Sequence, residues 1–471
     1  MKRVAILGAG PCGLSAAWEL IDRGLEVTVI EKEEQVGGLG QTFEYKGFRF
    51  DVGGHRFITA SNALLQRVCD LMGDELITSN RRSAILLRGQ QLQYPLSAPD
   101  ILKKLPLSVC VRILADYLVE ALRMKLSPKP DISFEDWIVH RFGRTAYDIF
   151  FGPYTGKLWG ISPKEISSDW APQRISLLNL SDVALRMLGL KKGTPRTYAL
   201  KYLYPKKGFG QIFQVMAQEM EKAGTKIHLD AKVTRIYHDK ERAVGIEFST
   251  NGKKETLECD ILISSIPLPD LVGRLDPAPP PELIPSLKHL RFRALRCLNL
   301  LLNRADFSPN TWMYVADPRY VMNRIQEPKR RSPFNAPDGK TSLMLEITCN
   351  LGDSTWEAPD QEIYKRVIGD LKALGFDIES DVIDYFSTRA EHAYPVYTLD
   401  YQNHRRRLIE ALRSMDNVVT CGRQGLFRYV FSDTAMEMGI HAARSLLGKA
   451  SKDTLYDMKS EKDLIEAKSI I

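Results

Sequence analysis

No apolar run of about eighteen residues occurs in the sequence, so no membrane-spanning helix is expected. Cysteine is scarce. There are seven among 471 residues, at positions 12, 69, 110, 259, 297, 349 and 421, an odd number without a CxxC pair. That pattern disfavours a disulfide framework or a thiolate zinc site and fits a reducing compartment, so a cytoplasmic location and small buried apolar thiols are expected. No HExxH, phosphate-loop lysine segment or Ser-His-Asp order is apparent, which leaves hydrolysis by those routes unsupported. No internal repeat is evident. Neither charge sign dominates. With 65 basic and 58 acidic residues the net charge is +7, which suits an anionic ligand or a weak attraction to an anionic surface and does not argue for nucleic acid. The opening MKRVAILGAG lacks the long apolar segment of a secretion signal, and Asp22-Arg23 follows soon after, so a first β-strand explains it better.

A chain of this length exceeds what one core usually serves, and two domains are expected, or one domain with a large insertion. Val4–Leu7 is an apolar strand, Leu14–Ile21 has helical spacing, and Leu25–Ile30 is a second strand. This is the first unit of a Rossmann-like α/β fold. Between them stands Gly8-Ala9-Gly10-Pro11-Cys12-Gly13. The first glycine permits the tight turn, the second lets backbone approach a pyrophosphate, and the third lets helix and strand pack closely. The phosphates then meet the N–H groups of a helix N-terminus. Glu31, at the end of the second strand, suits a ribose hydroxyl pair and repels a 2′-phosphate.

Farther along, residues 81–205 hold Pro-punctuated helices. In Leu107–Met124, apolar Leu107, Val111, Leu114, Leu118 and Leu122 recur at steps of three or four. A core helix of a second domain is the expectation; the wall of an apolar tunnel or a helix on a membrane surface is the alternative. A helix over 210–223 and strands over 226–229, 232–237, 244–248 and 255–258 are predicted. The run DILISSI (260–266) returns to the nucleotide-binding sheet. The Pro-rich stretch 276–285 crosses between domains. Strands and helices alternate over 286–414, a last strand falls at 418–422, and a helix at 433–447. The nucleotide-binding domain is thus expected in three pieces, 1–80, 206–285 and 415–450. A mixed α+β substrate domain is inserted as 81–205 and 286–414, and 451–471 forms a charged tail.

A second glycine pair, Gly37-Gly38 in KEEQVGGLGQT, follows Glu31. This pattern resembles the flavoproteins of the amine oxidase, phytoene desaturase and protoporphyrinogen oxidase group, where that cluster passes close to FAD; the arginine usual after the pair is Leu39 here. Within the group, DVGGHRF (51–57) looks most like UDP-galactopyranose mutases, whose glycine-rich loop presents a histidine beside the flavin. PYTGKLWG (153–160), WAPQRIS with Arg174, YPKKGFGQ (204–211) and GRQGLFRYVFSDTAMEMG (422–439) resemble further mutase segments. The resemblance implies FAD as cofactor. It implies contacts from Gly8, Gly10, Pro11, Cys12, Gly13, Glu31, Lys32, Gly38, Leu39, Gln41, Thr42, Gly53, Gly54, His55, Val233, Gly422, Asp433 and Met436. It also implies a catalytic set of His55, Arg174, Trp159, Tyr154, Lys157 and Arg423. The mutases' paired substrate tyrosines have loose candidates in Tyr320, Tyr394, Tyr397 and Tyr401.

Arg174, Lys157, Arg423 and Arg428 could together hold a phosphate or carboxylate. Trp159 and Tyr154 could stack on a sugar or an apolar substrate. The basic runs Lys329-Arg330-Arg331 and His404-Arg405-Arg406-Arg407 read as solvated surface. The expected activity is FAD-dependent hydride transfer on an apolar or glycan- or isoprenoid-linked substrate. The alternative is a nucleotide-sugar mutase in which reduced flavin acts as nucleophile. The partner is a small-molecule or a lipid- or nucleotide-linked substrate, not nucleic acid, with peripheral membrane contact open.

Overall fold

Arg3–Leu7 is buried at every position after its first residue, as a central strand covered on both faces requires. In the computed structural model, which describes residues 1–94, 98–174, 201–239 and 241–458, it sits in the middle of a five-stranded parallel sheet. The order is Val418–Thr420, Ile261–Ser264, Arg3–Leu7, Glu26–Ile30, Lys226–His228. Segments from the start, middle and end of the chain therefore share one sheet, with DILISSI contributing only Ile261–Ser264 as strand. Helices Pro11–Leu20, Gln211–Lys222 and Ser432–Leu446 pack against it. A second sheet, ordered Lys253–Glu258, Ala243–Thr250, Ala231–His238, Leu275–Asp276, leans on its edge.

The second unit is built on a seven-stranded sheet. Its order is Val382–Pro395, Phe292–Leu302, Thr341–Cys349, Arg324–Gln326, Trp312–Val315, Ser83–Leu87, Gln90–Tyr94. The 286–414 segment supplies five strands and the 81–94 segment the remaining two. Phe292–Leu302 is buried throughout after its first residue, and the Arg296 side chain inside it is satisfied by Asp360 at 2.5 Å and by the carbonyls of Thr355 and Ala358. A hairpin, Thr42–Tyr45 with Phe48–Asp51, connects the two units.

The expected core helix runs from Leu107 to Leu126 but is not core. Leu107 is 70% exposed, and Val111, Leu114, Leu118 and Leu122 are 57–58% exposed, while Glu120 is buried. The cause is that the helix docks through a different face, on which Asp116 and Glu120 stand among half-buried Val109, Ile113, Tyr117 and Met124. The Asp116 carboxylate accepts hydrogen bonds from Thr145 N–H (2.9 Å) and from its hydroxyl. Gly143 has no Cβ to block the approach: one would lie 2.9 Å from the Asp116 backbone.

Candidate active site

The glycine turn folds as its residue types demand. Gly8 has φ +94°, a region that L side chains rarely adopt, and its N–H donates to the Ile30 carbonyl at 2.8 Å. A Cβ on Gly13 would sit 1.8 Å from the Gly8 carbonyl oxygen, so the third glycine is a packing residue. Gly37 N–H donates to the Ala9 carbonyl at 2.8 Å and lays the second glycine pair on the first; a Cβ on Gly38 would lie 3.0 Å from Gly10 Cα. The Pro11–Leu20 helix begins here without a side-chain cap, which leaves its first N–H groups for an anion. Glu31 is buried. One carboxylate oxygen accepts Ala9 N–H (2.7 Å) and the other accepts Glu33 N–H (3.0 Å). Burial pushes its pKa up, and each oxygen keeps a lone pair for a vicinal diol.

At the other end, Asp51 organises DVGGHRF. Its buried carboxylate accepts from Thr42 Oγ1 (2.7 Å), Tyr204 Oη (2.7 Å) and Phe209 N–H (3.0 Å). YPKKGFGQ thereby closes over the loop, and Phe209 stacks on the His55 ring at 5.0 Å. Gly208 and Gly210 allow that closure, since a Cβ on either would strike Thr42. Gly53 and Gly54 serve a neighbour other than the one expected. Their Cβ positions lie against Glu346 and Leu295, and against Gln326 and Arg324. The glycine pair makes room for a buried polar network. Arg324 donates to both Glu346 oxygens at 2.6 Å, Gln326 Nε2 donates to Glu346, and Arg331 donates to Gln326 Oε1.

His55 Nδ1 is buried with no hydrogen-bond partner. Burial first, then the charges of Arg423, Arg331 and Arg324, draw the pKa of His55 down to about 3, so the imidazole is neutral at physiological pH. Arg423 stands over the Tyr429 ring at 4.6 Å and donates to the carbonyls of Val430 (2.6 Å) and Ala393 (3.2 Å). Around Arg324 stand Tyr314, Tyr394 and Tyr154, with Tyr154 edge-on to Tyr314 at 6.0 Å and Tyr394 stacked on Tyr429 at 6.1 Å.

Both ends open on one cavity of about 520 Å³. Of the residues expected to hold a cofactor, Gly8, Gly10, Pro11, Cys12, Glu31, Lys32, Gly38, Leu39, Gln41, His55, Val233 and Gly422 line it, as does Arg423. Gly13 and Thr42 stand behind that lining as supports. Asp433 and Met436 are buried in the Ser432–Leu446 helix, and their neighbours Ser432 and Ala435 face the cavity instead. The sequence reading missed Ser265–Pro267, Asp270, Arg274 and Arg389–His392.

The four-residue anion clamp does not assemble among the described side chains. Lys157 donates to three carbonyls, those of Val315, Asp317 and Met322, at 2.6–3.1 Å. Burial lowers its pKa to about 7, yet its partners make it a strut between segments. Arg428 donates to the Met458 carbonyl. Arg174 ends the Trp170–Arg174 helix, and its side chain lies outside the described residues. Trp159 is core, packed edge-on to Trp170 at 4.7 Å. Of the tyrosine candidates, Tyr394 is beside Arg324, while Tyr397 is buried, accepts Tyr429 N–H at 2.7 Å and stacks on Tyr401 at 4.3 Å. Tyr320 packs on the second unit's core. Arg331 is 2% exposed, which removes it from the solvated basic run where the sequence placed it, because Gln326 and Asp51 hold it inside.

A parallel sheet with two interlocked glycine clusters, an uncapped helix over the phosphate turn, a buried ribose-type carboxylate and a cavity reaching a second unit define a two-unit flavin-dinucleotide enzyme. The comparisons give the particular family. The family of flavin-containing amine oxidoreductases matches residues 11–447, and the chain belongs to it. A similar curated protein is coproporphyrinogen III oxidase of Bacillus subtilis (strain 168), 24% identical over 444 residues, covering 88% of this chain and 91% of that protein. Zeta-carotene desaturase of Arabidopsis thaliana is 26% identical over 304 residues, covering 57% of this chain and 51% of that one. Among solved structures, reduced UDP-galactopyranose mutase superposes with a TM-score of 0.85 at 21% identity, covering 98% of this chain and 99% of that one. The enzyme is a FAD-dependent oxidoreductase of this family. The residues present fit FAD. A pyrophosphate would have room where Gly10 and Gly38 carry no side chain, Glu31 could take the ribose, and His55 lines the same cavity with a buried Nδ1 that has no partner.

Proposed function

We propose that the enzyme removes a hydride from an apolar substrate, glycan- or isoprenoid-linked, that carries an anionic group. The observation that carries this reading is the convergence of Arg324, Arg331 and Arg423 on a neutral His55, next to a wall of tyrosines. When bound, FAD supplies the hydride acceptor. The arginines hold a positive field where negative charge develops, and the N-terminus of the Ser432–Leu446 helix adds to it. Tyr154, Tyr314 and Tyr394 offer an apolar body with polar tips to the substrate. His55, kept neutral, can accept or donate a hydrogen bond without adding charge.

A second reading, nucleotide-sugar isomerisation on reduced flavin, is favoured by one observation: the fold follows that of UDP-galactopyranose mutase over nearly the whole chain. Arg423, the one of the three arginines that lines the cavity, could meet the charge of a diphosphate. The two readings separate in one anaerobic experiment. The oxidised holoenzyme is mixed with isoprenoid and porphyrinogen substrates, and the reduced holoenzyme with UDP-sugars. Bleaching of the flavin band by an apolar substrate supports hydride transfer. Conversion of a UDP-sugar by pre-reduced enzyme alone, with no reductant consumed, overturns it.

A further inference from the structure

We infer that the Leu107–Leu126 helix docks this enzyme on the surface of an anionic lipid bilayer. The helix is 20 residues long and, among the described residues, buries one side chain, Glu120. Leu107, Val111, Leu114, Leu118 and Leu122 form one exposed stripe, which Leu126, 76% exposed, extends to the helix end. The face that carries Asp116 and Glu120 turns inward together with half-buried Val109, Ile113, Tyr117 and Met124, so the leucine stripe is presented outward. A patch of this kind marks an interaction site.

Charge decides the occupant. Within residues 98–132 the exposed charged side chains are Lys103, Arg112, Arg123, Lys125 and Lys129, all basic. The four acids of that segment are turned inward. Asp100 bonds Gln93 N–H and pairs with Lys104, and Asp116 bonds Thr145. Glu120 pairs with Arg123, and Asp131 with His140 and Arg141. A second copy of the chain docked face to face would oppose one basic face with another. An anionic bilayer accepts both the leucines and the cations, the usual composition of an interfacial helix. No helix among the described residues is long and apolar enough to cross a membrane, so the contact is lateral.

The helix is also tied to the substrate side. Thr145 lies in the Arg144–Ala146 turn, which continues through a π-helical turn, Tyr147–Phe151, into Gly152–Trp159, and that helix carries Tyr154 to the arginine-tyrosine wall.

The test uses the FAD-loaded full chain, sedimented with vesicles of phosphatidylcholine alone or mixed with phosphatidylglycerol. Binding to the mixed vesicles is expected, with roughly tenfold weaker binding to the neutral ones and release by salt. Leu114→Gln/Leu118→Gln/Leu122→Gln should keep the flavin and lose binding to both. Arg112→Gln/Lys125→Gln, confined to exposed positions, should lose the preference for anionic lipid, and it decides the matter if the triple variant does not fold. Three outcomes overturn the assignment: no sedimentation with anionic vesicles, unchanged binding in both variants, or a dimer in light scattering that the triple variant converts to monomer.

Discussion

His55 carries a pH dependence that can be derived from its surroundings. Its pKa falls from 6.5 to about 3 on folding, chiefly through burial and then through Arg423, Arg331 and Arg324. Between those values the unfolded chain binds a proton that the folded chain does not, so stability rises with pH across the window. The contribution is complete above about 6.5 and is lost as acidification moves toward 3. In His55→Gln, denaturation midpoints should decline less steeply from about neutral pH to about pH 4 than in the wild type. If His55 abuts the flavin as proposed, the flavin's absorption should shift as well; parallel slopes with an unchanged spectrum would place His55 away from the flavin. Lys157 is a contrasting residue. It is perturbed by burial, but its ammonium faces three carbonyls rather than the cavity. Lys157→Met strips three buried acceptors of their donor and should cost roughly 3 kcal/mol in urea melts. The flavin spectrum of the folded fraction should stay as it is, whereas a catalytic lysine would alter turnover before stability.

The Pro11–Leu20 and Ser432–Leu446 helices lie in contact, with Gly13 fitting the first helix to its turn and Gly439 setting the distance between the two. Gly13 meets the Gly8 carbonyl, and a Cβ on Gly439 would sit 2.0 Å from the Cys12 carbonyl oxygen. The first glycine is legible in the sequence as the third member of GxGxxG. The second reads only as one more small residue near the chain's end, because its partner is more than 400 positions away. Periodicity located the helices around both glycines to within three residues, since a 3.6-residue apolar pattern is local information. It could not tell which face of Leu107–Leu126 turns inward. Leucines at helical spacing usually face a core, and the bonds that reversed this, Asp116 to Thr145, are tertiary. Gly439→Ala should force the helices apart at the phosphate turn, costing roughly 3 kcal/mol. It should also lower the flavin-to-protein ratio of purified enzyme; full flavin retention would show that the turn does not depend on this crossing.

For the whole molecule, the glycine clusters, Glu31 and the His55 loop were legible because each is a contiguous motif whose backbone needs are specific. The Arg324–Gln326–Arg331–Glu346 network was not, because strand register in a seven-stranded sheet assembles it. A signal did exist: Glu346 is a lone carboxylate in the apolar strand TSLMLEITC, and a buried charge demands a partner. The same long-range assembly joins the two units at the cavity. The first supplies Gly8–Cys12, Glu31 and Ser432, and the second supplies Arg389–His392 from its edge strand. The ion pair across this seam, Lys32 with Glu391 at 2.6 Å, is about 43% exposed on both sides and contributes little. Arg423 to the Ala393 carbonyl (3.2 Å) and Gln424 to the His392 carbonyl (3.0 Å) also cross it, and bound FAD would add a further tie whose removal should loosen the seam before it unfolds either sheet. Stripped of flavin, the protein should melt several degrees lower. Re-addition at about a thousandfold excess over Kd should restore roughly 4 kcal/mol. Hydrogen exchange should show the difference concentrated at 8–12, 31–41 and 389–392, the cavity-lining backbone of both units. Protection spread evenly over both sheets, or a melting point indifferent to FAD, would mean that the two units hold each other without the dinucleotide.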